Sequence, residues 1–384
     1  MAKNIVILFD GTSNEISSNR TNILRLFGCL QKDAGQVVYY SPGVGTFGAA
    51  NSWSYHWRKL VELAGMATGW GIDHNVKEAY RFLVSHYDKG KGGASRDRIY
   101  IFGFSRGAYT ARVLAGFLNC FGLMDKDQLN LLDYAFRAYK AVNETGEAAA
   151  DWAELNLYER MLQPDHPPIR CLGLFDTVAS AIEWGRHGPR FRLDAATSLN
   201  PSVEAMRHAV AIDERRSLYQ PVLWPGGQSY YGNRFKTAKP RPQDTRELWF
   251  AGFHSDVGGG QPEADSALAK VPLVWMLNEV ARMGLELRET TVAEIVMGDN
   301  PKKAYVPPDP KGASHNSMNF LWALVELIPR RVPRQDRGWR RSFLGLYIPL
   351  FRRRRMADGV VLHRSSVERG TLAPNVPQDH RVED

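Results

Sequence analysis

Ser105, Asp176 and His254 are the residues whose types and order can do chemistry together, and the chemistry is acyl transfer to and from a serine. Ser105 is the centre of Gly103-Phe104-Ser105-Arg106-Gly107, preceded by the apolar run Arg98 to Phe102 and followed by the small residues Ala108 and Ala111. That is the pattern of a serine on a tight strand-to-helix turn, where the residues two places either side must be small because the backbone folds back on itself. A serine hydroxyl is a poor nucleophile until a histidine takes its proton, and a carboxylate must then hold the imidazole tautomer and balance its charge. On parallel α/β sheets the chain order is serine, acid, histidine. Asp176 ends the run Ile169 to Phe175 and His254 ends the run Arg246 to Phe253, so all three should emerge on one edge of such a sheet.

Each assignment has a competitor. Gly103 to Gly107 can be a plain turn, Asp176 can cap its own turn, and His254 can be a structural histidine beside Gly258, Gly259 and Gly260. Asp256 is the rival acid, ranked second because a residue so close to the histidine seldom reaches Nδ1 while the ring faces Ser105. His208 and His363 are the rival bases. An oxyanion hole needs two backbone amides aimed at one point. Arg106 supplies one by the turn geometry, and Gly11 or Thr12, after the first strand, the other. Asp10 faces away from that point in this reading and accepts amide hydrogens from its own loop, or joins Asp256 in one region.

The elements that must position these residues follow the order of a parallel sheet. Lys3 to Phe9 is a continuous apolar strand, Asn19 to Leu30 a helix, Val37 to Tyr40 a second strand, and Ile72 to Tyr87 a helix with Val76, Tyr80 and Leu83 on one face. After the serine turn come the helix to Gly122, helices over Asp125 to Ala149 and Trp152 to Leu162, and the strand Ile169 to Phe175. Val203 to Ile212 reads as partly helical, Arg246 to Phe253 as a strand, Ser266 to Met283 as a long helix, and Val360 to His363 as a last short strand. The Trp-rich stretch Asn51 to Gly71 suits a cap or flap. Strands alternating with helices predict an α/β-hydrolase-like fold, with a mainly parallel central sheet flanked by helices and helical insertions near the active site.

Composition narrows the function classes. Residues that are 44% hydrophobic and 11% aromatic support a large core in a chain of 384 residues. The net charge of +8 is local: ten arginines from Arg330 to Arg355 face the single acid Asp336, so the rest of the chain is nearly neutral. This argues against a nucleic-acid-binding body and for one local anionic contact or a solvated arm. The arginines alternate with Trp339, Phe343, Leu344, Leu346, Tyr347, Ile348, Leu350 and Phe351, which suits an anionic membrane. The competing reading has them pair with acids of the hydrolase body or lie solvated while the apolar residues complete its core. Cys29, Cys120 and Cys171 form no disulfide framework. Neither G-x-G-x-x-G nor H-E-x-x-H occurs, so no cofactor or metal is expected. Met1 to Asp10 runs directly into a strand and no apolar run is long enough to span a bilayer. The expectation is a cytoplasmic protein with a peripheral membrane contact, export without a signal peptide remaining open.

Four motifs in order carry a family resemblance: Asp10-Gly11-Thr12-Ser13-Asn14, Gly103 to Arg112 (GFSRGAYTAR), Gly173 to Val178 (GLFDTV), and Trp249 to Gly260 (WFAGFHSDVGGG). Together they resemble the α/β-hydrolase family whose best-known members are the type VI secretion phospholipase effectors. The resemblance runs from Lys3 to Met283, with His363 to Arg369 closing the domain. It implies esterase chemistry on glycerophospholipids, with Ser105 as nucleophile and Asp176 and His254 completing a triad. The effectors carry in addition a large membrane-anchoring region for which 384 residues leave no room, so a catalytic unit without that region is expected.

The expected organisation is a catalytic domain over residues 1–293, a C-terminal extension over residues 294–377 whose Arg-rich arm packs on the hydrolase body, and a disordered tail over residues 378–384. The competing function class is a non-enzymatic binding module that keeps the hydrolase fold and acts through its basic arm.

Overall fold

The run KNIVILF becomes the strand that the rest of the sheet is built around. In a computed structural model, which describes residues 2–11, 19–43, 70–90, 95–142, 148–178, 182–185, 188–191, 194, 196–236, 239–331 and 346–384, all six residues of β1 (Asn4–Phe9) are buried. Thr12, Asn14, the stretch 51–69, and Trp339, Phe343 and Leu344 lie outside the described residues. The remaining strands of the main sheet are β2 (Gln36–Ser41), β3 (Arg98–Phe104), β4 (Ile169–Phe175), β5 (Val203–Ala211), β6 (Asp244–Phe250), β7 (Val360–His363) and β8 (His380–Glu383). Their order is 8-7-6-5-4-3-1-2, and every pairing is parallel.

Parallel strands need crossovers, and helices supply most of them, on both faces. Among the described residues the connections β4 to β5 and β5 to β6 carry short antiparallel strand pairs instead, Ile182–Gly185 with Gly188–Phe191 and Ser229–Tyr230 with Arg241–Pro242. The α-helices of five or more residues among the described residues are α1 (Asn22–Cys29), α2 (Trp70–His86), α3 (Arg106–Cys120), α4 (Leu132–Ala141), α5 (Ala148–Leu162), α6 (His254–Gly258), α7 (Ala267–Arg282), α8 (Phe320–Glu326) and α9 (Arg364–Glu368). Because side chains alternate along a strand, Ile5, Ile7 and Phe9 of β1 pack with Val76, Tyr80 and Leu83 of α2 and Leu114 and Phe117 of α3. Val6 and Leu8 face the other way, onto Ile23 and Leu26 of α1 and Leu273, Met276 and Val280 of α7. The helices α4 and α5 add Leu132, Phe136, Tyr139 and Leu155 to the first of these layers. The α/β fold with a parallel sheet between helices is as the sequence predicts.

Two expectations need correction. Val203 to Ile212 is not helical but forms β5, in the middle of the sheet between β4 and β6. Its polar residues Arg207 and His208 imitate a helical polar face, yet both are buried in partners from other elements. Arg207 pairs with Asp244 at 2.6 Å and Glu279 at 2.5 Å, and His208 Nδ1 lies 2.8 Å from Glu247 Oε2. The tail is not disordered: His380–Glu383 is an edge strand paired with β7. The sheet pattern therefore continues to the last residues, through an edge strand too short to show a period of its own.

The strand order places one crevice. The chain moves outward from β1 to β2 and then returns to β3 on the other side of β1, so the topology switches between β1 and β3. Sites of open α/β sheets lie at the carboxyl ends of the strands at such a point. Asp10 and Gly11 follow β1 there, and Ser105 follows β3.

Candidate active site

Ser105 stands between β3 and α3 with φ 57° and ψ −122°, a conformation that L-residues rarely adopt. Holding a non-glycine residue there costs on the order of 1–3 kcal/mol, and the surroundings show what imposes it. A Cβ on Gly107 would lie 2.4 Å from the carbonyl oxygens of both Phe9 and Asp10, and one on Gly103 would lie 2.4 Å from Gly107 O. The two glycines let α3 start directly against the end of β1. Ser105 N donates to Phe175 O at 3.0 Å, which ties the turn to the end of β4.

Two later strand ends reach the same place. His254 is the first residue of α6, with Nε2 2.8 Å from Ser105 Oγ and Nδ1 2.5 Å from Asp176 Oδ2. An ionised carboxylate can only accept, so Nδ1 carries the proton and Nε2 is left to accept the Ser105 hydroxyl. The ring is packed between Phe104, at 4.8 Å between centroids, and the edge of Tyr219, at 5.0 Å. Asp176 also has a positive φ, 41°, and its amide donates to Ala209 O of β5 at 2.7 Å. Burial alone would push its carboxyl up. The charge of Arg354 and the contact with His254 outweigh that and hold it well below the usual carboxylate range. Burial pushes the His254 imidazole down, and Asp176 only partly compensates. Beside them Glu214 accepts from His254 N at 3.3 Å; its carboxyl, which burial would raise, is held at about 2 chiefly by Arg216.

Arg354 was not a candidate from the sequence. Its Nη1 lies 2.5 Å from Asp176 Oδ1 and its Nη2 3.0 Å from Oδ2, and neither side chain is exposed to water. The run Arg352 to Arg355, read as one basic surface, is therefore divided. Arg352 and Arg355 are exposed, Arg353 pairs with Asp213 at 2.7 Å, and Arg354 is in the interior. The only sequence signal was four adjacent arginines, of which nothing marks one as buried.

The rivals have other partners. His208 Nε2 accepts from Thr177 N at 3.1 Å while Nδ1 faces Glu247, so both ring nitrogens hold the sheet together. His363 caps α9 by accepting from Ser365 N at 3.3 Å and stacks on Phe250; burial pushes it down to about 4. Asp256 accepts from Phe253 N and from His315 N, both at 2.9 Å, and lies 2.7 Å from His315 Nδ1. It ties its own loop to a distant segment and makes no bond to His254. Asp10 accepts from Gly11 N at 2.6 Å, Thr21 Oγ1 at 2.6 Å and Tyr40 Oη at 2.7 Å. Of the expected oxyanion donors, Arg106 opens α3 one residue beyond Ser105, and the Gly11 amide is directed at Asp10. Thr12 is not described.

A family model described as the catalytic domain of Tle1-like phospholipase effectors of the type VI secretion system matches residues 3–279. The uncharacterized protein YEL023C of Saccharomyces cerevisiae is 32% identical over 233 residues, covering 58% of this chain and 33% of that protein. This chain thus spans about a third of the length of the curated relative it matches. Among solved structures, an uncharacterized protein from Pseudomonas aeruginosa is similar at 21% identity and a TM-score of 0.41, over 75% of this chain and 46% of that one. A Tle1 effector bound to the VgrG spike of the type 6 secretion system is similar at 20% identity and a TM-score of 0.36, over 70% of this chain and 53% of that one.

Proposed function

The chain belongs to the family of Tle1-like phospholipase effector catalytic domains, and from that premise we propose that it is a serine esterase whose substrates are glycerophospholipids. The observation that carries this reading is the continuous hydrogen-bonded path from Ser105 Oγ through His254 to Asp176, at 2.8 Å and 2.5 Å. In the proposed reaction Ser105 Oγ attacks the ester carbonyl carbon while His254 Nε2 takes its proton. Asp176 balances the imidazolium and keeps the Nδ1 tautomer. As the tetrahedral intermediate collapses, Nε2 returns the proton to the leaving alkoxide, and the alcohol departs. Water, deprotonated by the same nitrogen, then cleaves the acyl–Ser105 ester and releases the carboxylic acid. In this reading the Arg106 amide, at the positive end of α3, stabilises the oxyanion, and the second donor falls to Thr12, because the Gly11 amide is held by Asp10.

A lipid surface as the source of substrate is supported by what surrounds the histidine. Trp322 of α8 meets Tyr219 at 5.4 Å between centroids, and Tyr219 meets His254. The same helix and the turn after it expose Phe320 (77%), Leu324, Leu327 and Ile328, and the neighbouring segment exposes Leu346, Ile348, Leu350 and Phe351. An apolar patch of this kind, with Arg352 and Arg355 exposed beside it, suits the interface of an anionic membrane. Such a protein works as a peripheral enzyme on the cytoplasmic side or on a membrane it is delivered to.

Fluorophosphonate labelling tests the reading. The probe should modify the wild-type protein at Ser105 and leave folded Ser105→Ala unmodified, and mixed phospholipid vesicles should yield free fatty acid. Labelling at another residue would overturn Ser105 as the nucleophile, and no hydrolysis of short esters or phospholipids from pH 6 to 9 would favour the binding-module alternative.

A further inference from the structure

Arg354 comes from a part of the chain beyond residue 279, where the family match ends, yet its side chain is fully buried against Asp176. Every guanidinium nitrogen is used. Nη1 bonds Asp176 Oδ1 at 2.5 Å and Ala211 O at 2.9 Å, Nη2 bonds Asp176 Oδ2 at 3.0 Å and Tyr219 O at 2.5 Å, and Nε bonds Tyr219 O at 3.1 Å. The segment is held on both sides. Asn375 Nδ2 donates to Arg354 O at 3.1 Å and Ile212 O at 3.2 Å, and Met356 packs with Val210, Ile212, Trp249 and Leu362.

We propose that Arg354 is a positioning residue for the Ser105–His254–Asp176 relay, so that the C-terminal segment completes the active centre. The inference rests on the serine-esterase reading above. Its physical basis is the geometry of the carboxylate. Asp176 Oδ1 accepts from Arg354 Nη1 and from Ala211 N at 3.0 Å, while Oδ2 is shared between Arg354 Nη2 and His254 Nδ1. A planar guanidinium paired with both oxygens fixes the plane of the carboxylate, which a lysine, as a point charge, does not. A carboxylate buried without a counter-charge takes up a proton instead. Asp176 would then no longer support the imidazole tautomer as an anion. The arrangement also has an opposing effect, because a cation on the far side of Asp176 disfavours the imidazolium. Arg354 therefore sets the basicity of His254 as well as its orientation.

The role separates from a purely structural tether in the pH profile. The full-length wild type, Arg354→Gln, Arg354→Lys, Arg354→Ala and Ser105→Ala are compared for short-ester hydrolysis and fluorophosphonate labelling from pH 5 to 9, with circular dichroism as the check on folding. In Arg354→Gln, kcat should fall roughly 10²-fold through misplacement of the relay, with KM within about twofold. Loss of the cation should displace the acid limb of kcat/KM by about one pH unit, upward where Asp176 stays ionised and downward where it takes up a proton. Arg354→Lys should be intermediate, and added guanidinium should restore labelling of Arg354→Ala. An Arg354→Gln protein with wild-type kcat and an unshifted limb overturns the inference. So do equal losses in the Gln and Lys variants with no shift and no response to guanidinium. If Arg354→Gln does not fold, the Lys variant and the guanidinium response decide. Full turnover in Ser105→Ala would sink the esterase reading itself. Loss in Ser105→Ala with an unaffected Arg354→Gln sinks only the role of Arg354.

Discussion

His254 Nδ1 lies 2.5 Å from Asp176 Oδ2 across 78 residues of chain, with the carboxylate fully buried and the imidazole nearly so. An imidazole in that position is under two opposed influences. Burial disfavours its charged form and the adjacent carboxylate favours it, and burial wins, so His254 titrates below its ordinary value of 6.5.

In the proposed reaction His254 acts as the neutral ring, so kcat/KM should be flat through neutral pH and fall as pH drops through the lowered His254 value. The acid limb should lie below pH 6.5, where an unperturbed histidine would place its midpoint. His254→Ala should lose on the order of 10³-fold or more in turnover. His363→Ala should keep turnover and lose only about 1 kcal/mol with its cap. Steady-state kinetics across pH check both, and an acid limb above pH 7 would contradict the burial argument.

Asp176→Asn should act on activity and stability at once. The amide leaves the tautomer unfixed, which typically costs about 10⁴-fold in kcat. It also leaves the buried Arg354 charge without its partner, worth on the order of 3–5 kcal/mol, readable by chemical denaturation. The folded carboxyls of Asp176 and Glu214 both titrate below their unfolded values. The stability they contribute is therefore fully present above about pH 5. It is lost as pH falls from there toward the Glu214 value of about 2 and below. Asp176→Asn should flatten part of that acid slope.

Gly107→Ala should disable the turn without touching any of the three polar residues. The new Cβ would lie 2.4 Å from the backbone oxygens of Phe9, the last residue of β1, and of Asp10 just after it, and backbone cannot swing aside as a flexible side chain can. An overpacking cost of about 1–3 kcal/mol is expected, together with loss of fluorophosphonate labelling at Ser105. Normal labelling with normal stability would show that the contact relaxes freely.

The exposed face of α8 should matter on vesicles and little in solution. With Phe320→Ser and Leu324→Ser combined, hydrolysis of vesicle phospholipid should fall at least several-fold relative to hydrolysis of a soluble short-chain ester. Co-sedimentation with anionic vesicles should weaken in parallel. An unchanged ratio would remove this face from the membrane contact.

The serine turn was legible because it is local. An apolar strand, two small residues and a helix-forming run suffice to define it, and the space at Gly103 and Gly107 shows why no other residue fits. The strand ends at Asp176 and His254 were legible for a similar reason, since continuous apolar runs mark buried parallel strands and the residue after each run falls at one edge of the sheet. Closeness in the chain already ranks Asp176 above Asp256 as the partner of His254, but what each carboxylate meets depends on the register of β4 beside β5 and on the placement of His315, which no spacing encodes. The strand Val203–Ala211 was misread because Arg207 and His208 look solvated until Asp244, Glu279 and Glu247 are brought to them. Arg354 shows the limit most clearly. Among four adjacent arginines, the one that enters the interior is set by a carboxylate 178 residues away. Local sequence sets which segments become strands and turns. Which buried charge meets which partner is decided only when tertiary packing excludes water from both.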